Sequence, residues 1–184
     1  MIDENLPLTK IQRFEERAGS VKTHTALYKG ILMKKVVLNI DEINNLIPHR
    51  EPMLLLNQVT IVSLTEAESV YSVSGDEFFL KGHYPGNPIV PGNILSEMLA
   101  QLGAVLICFN SNMPECIYHN LRKGKTPVIA RLNDVRFQSP VKPGDHIKLH
   151  ITITKDTGLV AAAEAIITIG ETIAVSEEMT VAFI

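Results

Sequence analysis

The sequence predicts an α+β fold in which an antiparallel sheet wraps around one long central helix. Two observations predict it. The stretch from about Gly92 to Asn110 is apolar nearly all round, with twelve apolar residues among the sixteen from Ile94 to Phe109, and such a helix must be covered on every side. The rest of the main domain supplies six or seven short strand signals, most of them in the C-terminal third, which leaves a sheet packed on that helix as the layer arrangement. One curved sheet covers one side of the helix, so a second subunit is the expected cover for the other.

Taken in order, residues 1–33 read as an extension to a main domain at 34–184. Leu8, Ile11 and Phe14 repeat at three-residue spacing, with Pro7 near the start and Gly19 just past the end, the asymmetry of a short amphipathic helix. A polar connector, 20–30, follows. In the main domain, 34–40 is a candidate strand. Asp41 can cap a short helix through Leu46, which stops before Pro48. Residues 53–62 read as a second strand. Residues 65–74 read as a third, with Ala67, Ser69, Tyr71 and Val73 on one face. A loop then leads into the central helix. Beyond it, 127–137 is a strand that ends in a Pro-Val-Lys-Pro-Gly-Asp turn. In 145–155, Ile147, Leu149, Ile151 and Ile153 alternate with Lys148, His150, Thr152 and Thr154, the pattern of an antiparallel strand with one wet face. Turns at Asp156-Thr157-Gly158 and Gly170-Glu171 separate the last two strands.

Composition excludes several classes of function. The chain has 184 residues, 46% hydrophobic and 20% charged, with a net charge of −3. That is a globular composition with enough apolar material for a core. A protein that lives on nucleic-acid phosphates is usually more basic. The apolar stretch 94–109 is broken by Ser96, Glu97, Gln101 and Gly103, short and polar for a membrane span. No signal peptide is visible. Cys108 and Cys116 make neither a disulfide framework nor a zinc set and read as reduced thiols of a cytoplasmic protein.

The chemistry concentrates in GHYPGNPIVPGNILSEMLAQ, 82–101. Three glycines and three prolines between Gly82 and Gly92 make a stiff, shaped loop that runs into a helix N-terminus. His83 opens the loop and Pro91 suits the first helical turn. Free N–H groups near Gly92 can bind a carbonyl oxygen as it gains negative charge. Glu97 lies among Leu95, Met98 and Leu99, surroundings that favour its protonated form, and Gln101 is one turn on along the same face. A histidine, a carboxyl group able to hold a proton and a helix N-terminus supply a base, an acid and an oxyanion site. Taken from spacing alone, His83 also fits a structural histidine and Glu97 a solvated helix face.

GHYPGNPIVPG followed by Glu97 and Ala100-Gln101 resembles the 3-hydroxyacyl-[acyl-carrier-protein] dehydratases of bacterial fatty-acid synthesis, the FabZ type. IPHREPMLLL at 47–56 and VRFQSPVKPGD at 135–145 resemble that family's N- and C-terminal signatures, in the family's order. The likeness runs from about Val36 to Ile184. It implies a hotdog fold and a homodimer, commonly three dimers in a hexamer. Each dimer would carry two sites, with His83 from one subunit and Glu97 from the other. It implies dehydration of (3R)-3-hydroxyacyl chains on acyl carrier protein to trans-2-enoyl thioesters, with no metal or other cofactor. Gly92, Gln101, Tyr84 and Pro91 are the expected oxyanion and substrate-binding residues. Arg122, Lys123, Lys125, Arg131, Arg136 and Lys142 are the expected contacts for the acidic carrier, while His49 and Arg50 are read as structural. The chain departs from the family pattern at Asn57-Gln58, where Asp-Arg is common, and at Asn93 and Ser96, where apolar residues are usual. A hotdog thioesterase and a non-catalytic acyl-binding protein are the alternatives.

Overall fold

A computed structural model describes residues 35–184 except 114, 115 and 117. The expected helix within 1–33 lies outside the described residues. In chain order the elements are β1 (Val36–Leu38), α1 (Ile40–Leu46), β2 (Val59–Ile61), β3 (Glu66–Ser72), α2 (Gly92–Ser111), α3 (His119–Arg122), β4 (Pro127–Phe137), β5 (His146–Asp156), β6 (Val160–Ile169) and β7 (Thr172–Phe183). A 3-10 turn, Phe78–Leu80, precedes the loop into α2.

The strands form one seven-stranded sheet in the order β1-β2-β3-β5-β6-β7-β4, and every neighbouring pair is antiparallel. The alternation in β5 fixes which face packs inward. Ile147, Leu149 and Ile151 are buried, while Lys148 stands outside against Glu68 of β3 at 3.0 Å. The sheet curls around α2, whose Met98, Leu99, Leu102, Val105 and Leu106 are fully buried. This is the hotdog arrangement.

Three expectations are corrected. The cap of α1 is Asn39 rather than Asp41. The Asn39 side chain accepts from the N–H groups of Asp41 and Glu42, and Glu42 returns a bond to the Asn39 N–H, a complete capping box. Residues 53–58 do not continue β2. The chain turns at Arg50, whose carbonyl accepts from the N–H groups of Met53 and Leu54. The Met53 carbonyl and the Leu55 N–H then pair with the Gln101 side chain. A side-chain amide takes the place of a neighbouring strand, while Leu55 and Leu56 still enter the core. Finally, the chain alone buries α2: every residue from Ile94 to Ile107 except Glu97 is buried. The all-round apolar pattern therefore requires no second subunit.

β4 is an edge strand. Among the described residues it pairs only with β7, with register shifts between Ile129 and Arg131 and between Asn133 and Arg136. Asp134 adopts φ 45° at the second shift, the local kink of a bulged edge. Ile129, Leu132 and Phe137 are exposed along it.

Candidate active site

The loop before α2 is held at both ends. The His83 N–H donates to the Leu80 carbonyl at 3.1 Å, and the Val90 N–H donates to the Val141 carbonyl at 2.8 Å. Between them Tyr84 and Gly86 adopt positive φ (58° and 84°), and the Asn87 N–H closes the turn on the Tyr84 carbonyl at 2.9 Å. The His83 Nδ1 lies 2.6 Å from the Ile89 carbonyl oxygen. A carbonyl only accepts, so Nδ1 carries a hydrogen, and among the two neutral tautomers this bond selects the one with Nε2 unprotonated. The Tyr84 ring lies 4.4 Å from the His83 ring, centroid to centroid.

Pro91 caps α2 without a side-chain hydrogen bond. It lacks an N–H to lose, so Gly92 is the first N–H of the helix, and among the described residues it has no acceptor. A Cβ on Gly92 would sit 2.7 to 3.0 Å from three atoms of the Phe137 ring. Glycine here admits an aromatic ring from β4 onto the helix start.

One turn on, Glu97 lines a cavity of about 280 Å³ with Pro48, His49, Ala100, Gln101, Thr126 and the start of β4 at 127–129. Its side chain is 24% exposed, so the sealed apolar surroundings expected from the sequence are replaced by a cavity wall. Gln101 is buried and donates to Glu97 Oε1 at 2.9 Å and to the Met53 carbonyl at 2.7 Å. Its Oε1 accepts from the Leu55 N–H at 3.0 Å. Both amide hydrogens are thus used within the protein. Gln101 cannot donate to a substrate oxyanion as expected; it fixes Glu97 to the 53–55 loop instead. His49 Nε2 stands 3.4 Å from Glu97 Oε1. Its neighbour Arg50 donates to the carbonyls of Ile47 (2.9 Å), His49 (2.6 Å) and Asn44 (3.0 Å), closing the C-terminus of α1. Arg50 is structural as expected, but His49 faces the cavity.

His83 does not line the Glu97 cavity, so one chain does not bring the two residues together there. Arg122 is not at a carrier-facing surface. It is buried, donates to the Gly158 carbonyl (2.7 Å) and Ser111 Oγ (2.9 Å), pairs with Asp156, and lies over the rings of Tyr118 and Phe183. Burial pushes the neighbouring Cys108 thiol up to about 11, against the pull of Arg122. Lys123, Lys125, Arg131, Arg136 and Lys142 are exposed, Arg136 pairing with Asp134. Sequence reasoning missed Phe137 and the cavity role of His49. The second had one usable signal: His49 belongs to a stretch that already matched a family signature.

The chain matches the FabA-like domain family over residues 47–178. It is 40% identical over 145 residues to a protein of Clostridium beijerinckii named 3-hydroxyacyl-[acyl-carrier-protein] dehydratase FabZ, covering 77% of this chain and 96% of that one. A protein of the same name from Clostridium perfringens is 34% identical over 143 residues, covering 78% and 96%. Among solved structures, the dehydratase heterocomplex ApeI:P from Xenorhabdus doucetiae superposes with a TM-score of 0.62 at 22% identity, over 77% of this chain and 90% of that one, a likeness of fold.

Proposed function

This chain belongs to the FabA-like family and within it to the FabZ 3-hydroxyacyl-[acyl-carrier-protein] dehydratases, and from that premise we propose that His83 and Glu97 carry out its dehydration chemistry. His83 Nε2 takes the proton from C2 of the (3R)-3-hydroxyacyl thioester. The electrons of that bond form the C2–C3 double bond as the C3–O bond breaks. Glu97 gives its proton to the departing hydroxyl, which leaves as water, and the product is the trans-2-enoyl thioester. The Gly92 N–H, at the positive end of α2, meets the thioester oxygen as negative charge gathers there. No electrons leave the substrate, so the reaction needs no redox partner. The observation that carries this reading is the 2.6 Å approach of His83 Nδ1 to the Ile89 carbonyl, because it leaves the other nitrogen free to act as a base.

The same reading makes the site a shared one, with His83 of one subunit acting beside Glu97 of another. Two features support it: His83 is absent from the Glu97 cavity, and the eleven-residue β4 offers an edge on which a second sheet can pair. Lys123, Lys125, Arg131, Arg136 and Lys142 are the proposed contacts for an acidic carrier protein, in a cytoplasmic enzyme of fatty-acid synthesis. The test is to incubate the protein with 3-hydroxyacyl carrier thioesters while following both the enoyl product and free thiol. Enoyl thioester without thiol is expected. Release of thiol would instead identify a thioesterase, and no turnover an acyl-binding protein.

A further inference from the structure

We propose that His49 is a positioning residue for Glu97, one that settles which carboxyl oxygen carries the acid proton. The inference rests on the acid role of Glu97 proposed above and adds to it. Two nitrogens face the same oxygen. Gln101 Nε2 donates to Glu97 Oε1 at 2.9 Å, and His49 Nε2 stands 3.4 Å from that atom, a separation that catalytic hydrogen bonds commonly close when substrate is bound. Oε2 has no protein partner among the described residues. The Gln101 N–H already occupies Oε1, and a His49 Nε2–H drawn closer would add a second donor there; an oxygen so engaged serves as the acceptor of a carboxylic acid, so the O–H falls on the other oxygen. Oε2 is thereby the proton donor, and it is the oxygen left free to meet a substrate hydroxyl. After the proton has left, the same two N–H groups hold the carboxylate.

The surroundings of His49 are built for this. Its carbonyl is held by Arg50 at 2.6 Å. The ring is about a quarter exposed, yet Nδ1 is buried without a partner among the described residues. A buried orphan nitrogen costs stability, and one kept in the fold calls for an explanation such as a catalytic role. Here the one nitrogen with a polar neighbour is the one that faces Glu97. Among the described residues no other titratable side chain lines the cavity.

The experiment is a double-mutant cycle on the full chain, using steady-state dehydration across a range of 3-hydroxyacyl carrier thioester concentrations. His49→Leu is expected to lower kcat about 10- to 100-fold with little change in KM. His49→Gln restores an N–H at similar reach and is expected to recover most of the rate. In a Glu97→Gln background the His49→Leu change is expected to cost almost nothing more, because its effect passes through the carboxyl group. Full additivity of the two losses, or an unchanged kcat in His49→Leu, would overturn the inference. If Glu97→Gln alone keeps its rate, the acid role of Glu97 fails first, a separate result. Should His49→Leu not fold, His49→Asn carries the same test, since its amide is one methylene shorter than that of Gln.

Discussion

Ser96 donates its hydroxyl to Glu177 Oε2 at 2.6 Å, joining the second turn of α2 to the inner face of β7. Glu177 is buried, and its other oxygen has no partner among the described residues. Burial pushes its carboxyl above the usual range, and the Ser96 hydrogen bond only partly opposes this. Ser96 departs from the family pattern, and Glu177 is the group it serves.

The folded protein therefore holds the Glu177 proton more tightly than the unfolded chain does. The stability contributed is full below the ordinary glutamate value, about 4.3, and is lost as pH rises through the raised folded value. Glu177→Gln is expected to be more stable than wild type at pH 7 by about 1 kcal/mol, with the gain shrinking towards pH 4. Denaturant unfolding at the two pH values measures it. A wild type that is the more stable at pH 7 would contradict the assignment.

Glu77 has the opposite sign. Burial acts to raise its carboxyl, but the N–H groups of Ser74, Gly75 and Glu77 itself, with the Ser74 hydroxyl, lower it by more in sum. The bonds to Ser74 and Gly75 are 2.7 and 2.8 Å long. This stability is present above the ordinary carboxylate value and is lost as pH falls through the depressed folded value. Glu77 also opens the 3-10 turn whose Leu80 carbonyl holds the His83 N–H. Glu77→Gln is expected to cost about 1–2 kcal/mol at pH 7 and progressively less in acid, read by thermal unfolding across pH.

At the start of α2 the Phe137 ring occupies the space a Gly92 side chain would need. Phe137 is more than half exposed and can swing outward, so Gly92→Ala is expected to fold. The displaced ring and helix start shift the N–H assigned to the thioester oxygen, and a misplacement of about 1 Å can cost about 100-fold in rate. A loss of 10-fold or more is expected, roughly. Adding Phe137→Ala to Gly92→Ala removes the clash and is expected to recover much of the rate. Failure of the second change to help would mean that the ring is not the cause.

Patterns carried by neighbouring residues are legible in the sequence. The strict alternation of β5 names its buried face, and the apolar run of α2 places that helix to within a residue at its end. What escapes is decided by distant partners. Met53 to Leu56 has the composition of a strand, but the partner of its backbone is Gln101, more than forty residues on. Arg122 sits in a basic run that reads as a solvated turn, and its burial is set by Asp156, Gly158 and Phe183. Glu97 and His83 are legible as chemistry, whereas His49 becomes part of the site only once the 47–55 loop has folded against α2.

Because Arg122 is buried, its removal is a stability event. Arg122→Ala strands Asp156 and leaves the Gly158 carbonyl unpaired, an expected loss of about 3–5 kcal/mol. Arg122→Lys recovers little, since an ammonium cannot span the same fork of acceptors. The exposed Lys123 and Lys125 behave differently in the proposed carrier contact. Changing both to Glu is expected to raise KM for carrier-bound substrate several-fold, more so at low salt, with no change for a short free thioester. Equal effects on both substrates would remove these lysines from the carrier surface.

The last prediction separates a shared site from a site within one chain. His83 and Glu97 lie on the loop before α2 and on α2 itself, yet His83 does not line the Glu97 cavity. Replacing either by Ala is expected to cost about 10²–10⁴-fold in rate, the range of acid–base groups. If each site takes His83 from one subunit and Glu97 from the other, a mixed dimer of His83→Ala and Glu97→Ala chains has one site lacking both groups and one site intact. Random pairing makes half of the dimers mixed, and each mixed dimer carries one working site of two. Equal amounts of the two variants, co-refolded, are therefore expected to regain about a quarter of wild-type activity, far above either variant alone. Subunit exchange is checked by placing a different affinity tag on each chain and isolating the doubly tagged species. Activity that stays at the level of the separate variants, with exchange verified, would place the proton-abstracting and proton-donating groups on the same chain.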